Sequence, residues 1–234
     1  MVYGETGCMP LSTDIITRSL SFYLKTKHSS PDTLHNTLLN IISKQYDNTP
    51  HTSRYLHYIH TTLNSLGLSF LYQDNARTTR MTFNQMKIIV KAQTRDQYIQ
   101  NWRSGMNTSN KFIFYRSIKT DFQQESYLDI LPSKYRKQLT KLRVGNHRLP
   151  IETGRWNNTP RNERICPQCP NQTLGDEFHY LFECNTFKSA REKYLDKFYY
   201  RYPSMYKAQS LFCSKNRNTL LQLSKLVELI LKHE

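Results

Sequence analysis

The chain is short of several things, and each shortage removes a class of explanation. No apolar run approaches the ~20 residues that a bilayer-spanning helix needs, so no membrane partner is expected. Glycine is scarce, 7 in 234 residues, and 38% of the chain is hydrophobic, which argues for a packed globular protein rather than a disordered tail. Cysteines number only 5, an odd count, and no apolar secretory segment opens the chain. A disulfide framework is therefore disfavoured, and a reducing intracellular setting is the expectation. Internal repeats, low-complexity tracts and a convincing linker are also missing; the polar stretches 73–80 and 105–110 are the weakest junctions. Acidic residues are few: 18 Asp and Glu against 33 Lys and Arg, a net charge of +15. A charge of that size gathers anions and favours polyphosphate partners.

What the chain does have is a compact set of soft ligands. Cys166, Cys169, His179 and Cys184 are spaced C-x2-C-x9-H-x4-C. Three thiols and one imidazole are the ligand count of a closed tetrahedral zinc site, and with no position left for water the ion, one Zn2+, would be structural. A redox C-x-x-C is the rival reading, but no thioredoxin-like βαβ pattern surrounds the pair. Pro167 and Pro170 suit a tight turn between the first two ligands. Asp176 is placed to cap a short helical turn carrying His179 and Cys184. Cys8 and Cys213 lie far from the cluster and read as ordinary thiols.

Hydrophobic spacing predicts a mainly α protein. Ile15, Ile16, Leu20, Tyr23 and Leu24 follow a cap-like Ser12-Thr13-Asp14, and Ser30-Pro31 signals a second start before Leu34, Leu38, Ile41 and Ile42. Tyr55, Leu56, Ile59, Leu63 and Leu66 make a third stripe, stopped by Gly67. A long segment runs from Thr82 to Gly105. These stripes read as core-facing. Residues 111–118 are ambiguous between strand and helix. Ser133 is expected to cap an amphipathic helix ending at Gly145-Asn146, with Tyr135, Leu139 and Leu142 on one side and cations around the rest. Helices near Ala190–Phe198 and after Asn218-Thr219 complete the chain. The expected organisation is a helical, bundle-like region over 1–106. A basic helix, a small zinc-knuckle-like module and C-terminal helices follow over 107–234.

Positive charge is concentrated beside the ligands. Residues 133–165 hold nine cations, Lys134, Arg136, Lys137, Lys141, Arg143, Arg148, Arg155, Arg161 and Arg164, against Glu152 and Glu163. These nine are the candidates for backbone contacts to RNA or DNA. Trp156 and His147 are candidates for stacking on unpaired bases, with a packing anchor the competing role for Trp156.

The order of motifs has a familiar counterpart. Met1-Val-Tyr-Gly-Glu-Thr-Gly7, Tyr127-Leu-Asp-Ile-Leu-Pro132, Leu142-Arg143 with Asn146-His-Arg-Leu-Pro-Ile-Glu152, Gly154-Arg-Trp-Asn-Asn158, Arg164-Ile-Cys-Pro-Gln-Cys169 and Gly175–Cys184 occur in sequence. Together they resemble the C-terminal region of LINE-type (non-LTR) retrotransposon reverse transcriptases, over nearly the whole chain and most densely from Tyr127 to Cys184. The resemblance implies thumb and linker elements followed by a C-C-H-C zinc motif, with Cys166, Cys169, His179 and Cys184 as its ligands. It also implies a role in positioning template RNA or target DNA, in the nucleus or a cytoplasmic ribonucleoprotein. The polymerase's paired aspartates are absent: Tyr127-Leu-Asp-Ile and Tyr194-Leu-Asp-Lys each offer one carboxylate, and two-metal chemistry needs a cluster. The expectation is a non-catalytic, zinc-stabilised nucleic-acid-binding fragment with no small-molecule substrate. The alternative is a zinc-stabilised protein-interaction module that docks to a polymerase body or another partner. An apolar surface on residues 11–66 would favour that alternative.

Overall fold

A computed structural model describes residues 1–49, 52–73, 78 and 80–233. The protein is mainly α; among the described residues there is no strand, only the isolated bridges Thr6–Gln124 and Ile165–Leu174. No helix among them is long and apolar enough to cross a membrane. The chain divides into two compact units, Met9–Trp102 and Met1–Cys8 with Arg103–Glu234. The division falls inside the helix Phe83–Thr108.

The Met9–Trp102 unit contains the helices Leu11–Lys27, Leu34–Asn48 and Arg54–Ser65. Leu20, Tyr23, Leu24, Leu56, Ile59, Leu63, Leu71, Met86 and Val90 form its core. Three of the helix starts have a side-chain cap, and two starts lie a few residues from the expected place. The first helix begins at Leu11 after Pro10, ahead of the Ser12-Thr13-Asp14 signal. At the second, Thr33 N–H donates to the Ser30 carbonyl, so Ser30–Thr33 closes a turn and the Thr33 hydroxyl becomes the cap. The Ser53 hydroxyl caps the third. Before Phe83, the Thr82 hydroxyl accepts from Gln85 N–H while Gln85 Oε1 accepts from Thr82 N–H, a reciprocal capping box. That helix continues past Gly105 to Thr108. Of the 73–80 junction, Asp74–Arg77 and Thr79 lie outside the described residues.

One expected core stripe is on the surface. Leu34, Leu38, Ile41 and Ile42 are exposed, and the Leu34–Asn48 helix buries only Asn36 and Leu39. Asn36 is turned inward because its amide donates to the carbonyls of Thr26, Lys27 and Ser29, closing the end of the preceding helix. That contact rotates the helix so that its apolar stripe faces out.

In the second unit the ambiguous segment 111–118 resolves as a 3₁₀ turn, Asn110–Phe112, running into the helix Ile113–Ile118. The basic helix Ser133–Arg143 buries Leu139 and Leu142 and packs against the last helix, Arg217–Lys232. The latter contributes Leu220, Leu223, Leu226, Val227 and Ile230 to a core shared with Leu181 and Phe182. Its cap is Asn216, two residues before the expected Asn218-Thr219, because the Asn216 amide oxygen accepts from both of those backbone N–H groups. The segment after the ligands breaks at Leu195 into Lys188–Tyr194 and Lys197–Tyr200.

The N-terminal eight residues are built into this second unit. Glu125 N–H donates to the Glu5 carbonyl at 2.9 Å, beside the Thr6–Gln124 bridge. Gly7 has φ +66° and a Cβ there would meet Gln124 N at 2.5 Å, so the close approach requires glycine. Below this contact Arg143 donates to both Glu5 carboxylate oxygens, at 2.9 and 3.0 Å. It also reaches Glu125 at 3.0 Å, and Glu125 pairs in turn with Lys119. Tyr127 Oη donates to Glu5 at 2.6 Å. All four charged side chains are buried.

Candidate metal centre

The four expected ligands converge from two short elements. Ile165 and Leu174 pair across a bridge; Cys166 N–H donates to Thr173 O and Gly175 N–H to Arg164 O, both at 2.8 Å. This narrow hairpin holds Cys166 and Cys169 near its tip. Gly175 ends it under Pro150, whose Cβ would lie 2.9 Å from any added Cβ.

The other two ligands sit on a π-helical turn, His179–Glu183, closed when Cys184 N–H donates to His179 O at 2.8 Å. In an α-helix, residues five apart point about 140° away from each other at 100° per residue. Winding one extra residue into the turn brings His179 and Cys184 onto one side. Asp176 Oδ1 accepts from His179 N–H at 2.9 Å and starts the turn, as its position in the sequence suggests. Phe178, Tyr180, Leu181 and Phe182 anchor it to the core.

The ligand atoms of Cys166, Cys169, His179 and Cys184 all lie within 4.8 Å of one another and could hold a metal ion. Cys169 Sγ is 3.4 Å from His179 Nε2 and 3.6 Å from Cys184 Sγ; Cys166 Sγ is 4.0 Å from Cys184 Sγ. Cys166, His179 and Cys184 are buried and Cys169 is half-buried. Burial pushes the Cys184 thiol up to about 11. Burial also acts on Cys166, but the Tyr180 hydroxyl, 3.5 Å away, the backbone at Gln168 and hydrogen bonds with Cys169 and Cys184 together outweigh it and leave this thiol below its ordinary value. Crowded thiols in such a place repel one another once ionised, and a bound cation removes that conflict.

No family model, curated protein or solved structure matches this chain.

Two residues near the cluster escaped the sequence reading. Glu183 Oε2 lies 3.4 Å from His179 Nδ1, the ring nitrogen that faces away from the thiols and has no aligned hydrogen bond. Arg191 is 5% exposed, donates through Nη2 to Cys184 O at 2.7 Å and leaves Nη1 without a hydrogen-bond partner. Burial lowers the Arg191 pKa, opposed by the neighbouring Cys184 and Cys169 thiols. A dication with three thiolates would carry one net negative charge, which a buried guanidinium at this place would balance. H-x4-C spacing signals the turn, but no local pattern marks Arg191.

The nine cations proposed for phosphate contact have different fates. Arg143 is withdrawn: it is 1% exposed and held by Glu5 and Glu125, so it faces the core and not a ligand. Arg164 is half-buried and donates to Thr159 O and Ile151 O, bracing the hairpin. Arg136 donates to Leu131 O, Arg155 pairs with Glu152, Arg161 with Asp176 and Lys134 with Glu228. Lys137, Lys141 and Arg148 have no ion pair among the described residues. Arg136, Lys137, Thr140, Lys141 and Asn146 line one open groove along the basic helix. His147 is also corrected as a stacking residue. It is buried, with Nε2 3.1 Å from Glu177 and Nδ1 accepting from Leu149 N–H. Trp156 is half exposed at the end of the helix Pro150–Trp156.

Proposed function

We propose that the protein binds RNA or DNA through its phosphate backbone and that one structural zinc ion stiffens the binding unit. The zinc reading is supported by size. Tetrahedral zinc with bonds of about 2.3 Å to sulfur and 2.0–2.1 Å to nitrogen requires S···S edges of about 3.8 Å and S···N edges of about 3.6 Å. Three of the six edges, at 3.6, 4.0 and 3.4 Å, fall around those values, and all six lie within 4.8 Å. With four ligands the ion would be held by Cys166, Cys169, His179 and Cys184, with Glu183 and Arg191 outside them. Zinc there would supply rigidity, not a reactive water.

The observation that carries the nucleic-acid reading is the groove lined by Arg136, Lys137 and Lys141 on a chain of net charge +15. The resemblance to the C-terminal region of LINE-type reverse transcriptases supports the same partner. Three cations without ion pairs, Lys137, Lys141 and Arg148, set the scale of the expected salt dependence. A log–log slope of roughly −2 on a single strand, and somewhat steeper on a duplex, follows if these three engage phosphates. Reversing Lys137 and Lys141 to Glu should weaken every sequence about equally, since phosphate contacts carry no base information. Affinity that ignores both salt and these reversals would leave the groove a merely solvated face.

A second reading has its own observation. Leu34, Leu38, Ile41 and Ile42 present an uncovered apolar stripe on the Leu34–Asn48 helix. Apolar surface of this kind marks protein contacts, and a polymerase body or other partner docked there would make this unit an interaction module. Polar substitution of Leu38 and Ile41 should then abolish partner capture without changing nucleic-acid affinity.

A further inference from the structure

The segment after the metal cluster holds a surface that neither the groove nor the zinc explains. Between Lys197 and Lys207 the chain makes a short helix, Lys197–Tyr200, then turns into the helix Met205–Phe212, capped by the Ser204 hydroxyl. Tyr199 and Tyr200 pack inward against the core. Phe198, Tyr202 and Tyr206 do not: they are 54%, 77% and 75% exposed. Tyr202 has φ +118°, a conformation that side-chain-bearing residues rarely adopt. Phe198 and Tyr202 line one shallow concavity together with Lys197, Arg201 and Lys207.

Cations are interleaved with these rings. Lys207 Nζ sits 4.8 Å from the Phe198 ring centroid, and the Arg201 guanidinium 5.7 Å from that of Tyr202. None of Lys197, Arg201 and Lys207 is in an ion pair among the described residues. Across 193–215 there are five cations and one acid, Asp196, whose carboxylate is engaged in accepting from Phe198 N–H. Exposed rings beside unneutralised cations offer flat faces and positive charge together. That pairing matches a strand whose bases are unstacked and whose phosphates lie alongside. A duplex hides its base faces and gains only from the charge.

We propose that Phe198 and Tyr202, with Lys197, Arg201 and Lys207, form a stacking platform for unpaired bases, which makes the protein a single-strand binder. The inference rests on the nucleic-acid reading above and adds strandedness to it. Its test uses the full zinc-loaded chain and three fluorescent probes: a thymidine strand of ~20 nucleotides, an abasic strand of equal length and a duplex. The thymidine strand should bind roughly tenfold or more tighter than the abasic strand, because only it has bases to stack. The Phe198→Ser, Tyr202→Ser double variant changes two exposed side chains of the concavity. It should lose that advantage while duplex affinity stays constant. In a Lys137→Glu, Lys141→Glu background the thymidine preference should persist, which separates the platform from the groove. If the thymidine and abasic strands bind alike, or the double variant binds both as wild type does, the platform is overturned and the backbone reading stands. Binding of no probe overturns both. Attachment to anionic phospholipid vesicles that the double variant abolishes, without any thymidine preference, overturns it in favour of a membrane surface.

Discussion

Replacing Glu5 with Gln takes one negative charge from a buried cluster that holds two of each sign. Arg143, Lys119, Glu5 and Glu125 are 1%, 2%, 3% and 7% exposed. In the variant Arg143 and Lys119 face Glu125 alone, one charge is uncompensated, and an amide N–H₂ replaces an oxygen to which the guanidinium donates. Gln has nearly the volume of Glu, so no cavity opens and the cost is electrostatic. Breaking a buried pair by removing one partner costs about 3–5 kcal/mol, a large share of a typical stability of about 5–15 kcal/mol. Amide exchange in the Ser133–Arg143 helix, measured near neutral pH, reads this directly where the slowest amides exchange through opening of the unit. Those amides should exchange faster by about two to three and a half orders of magnitude. The effect has a pH signature. Burial acts to raise the Glu5 carboxyl, but Arg143 and the Tyr127 hydroxyl outweigh it and hold the group below its ordinary 4.5. A folded-state pKa below the unfolded one stabilises the protein above the ordinary value and loses that contribution as pH falls through the lowered one. The gap between wild type and Glu5→Gln should therefore close in acid. An acceleration of less than tenfold at neutral pH, or a gap that widens in acid, would refute the argument.

Elemental analysis of protein prepared reduced and without chelator should find one zinc per chain, and Cys169→Ser should abolish tight binding and loosen the chain from about Ile165 to Phe187. Arg191→Met should weaken metal affinity by roughly 10–100-fold in a chelator competition, whereas an unchanged affinity would assign Arg191 to packing alone. Gly7→Ala forces a side chain into the left-handed region and against Gln124; a cost of about 2 kcal/mol should appear as a melting temperature lower by roughly 4–8 °C. Asp129 accepts from the Gln124 amide and Asp196 caps a helix, so primer-extension assays should detect no nucleotide incorporation; incorporation that survives loss of both would reveal an unrecognised active site.

What could be read from the sequence depended on whether its cause was local. The Cys166, Cys169, His179 and Cys184 cluster was legible because metal chemistry restricts both residue types and spacing, and Asp176 was legible as a cap three residues before His179. A short helical turn was legible there but not its π character, although a five-residue H-x4-C interval does not suit one α-helical face. Arg143 was misread because its partner Glu5 lies 138 positions away and nothing beside it distinguishes a core guanidinium from a surface one. His147 failed for the same reason, with Glu177 30 positions on. Leu34, Leu38, Ile41 and Ile42 had the periodicity of a buried stripe. The rotation that exposes them is set by the Asn36 amide, a polar contact that hydrophobic spacing does not encode.

The placement of Met1–Cys8 has a consequence for how the protein is made. Its helix, Val2–Thr6, spans 5 residues, far below the ~12–15 at which an isolated helix becomes even marginal. It is completed only by Gly7 meeting Gln124 and Glu5 meeting Arg143. A ribosome adding about 5–20 residues per second takes roughly 7–28 s to cover the 138 positions from Glu5 to Arg143. The Met9–Trp102 unit acquires all its residues before that interval ends, while Met1–Cys8 still lacks the Arg143 surface it joins. Bringing the ends of that long intervening loop together then costs on the order of 4 kcal/mol in chain entropy, offset by the buried ion cluster and the bridge at Thr6. The segment Met1–Cys8 thus completes its fold only after the chain has been made as far as Arg143.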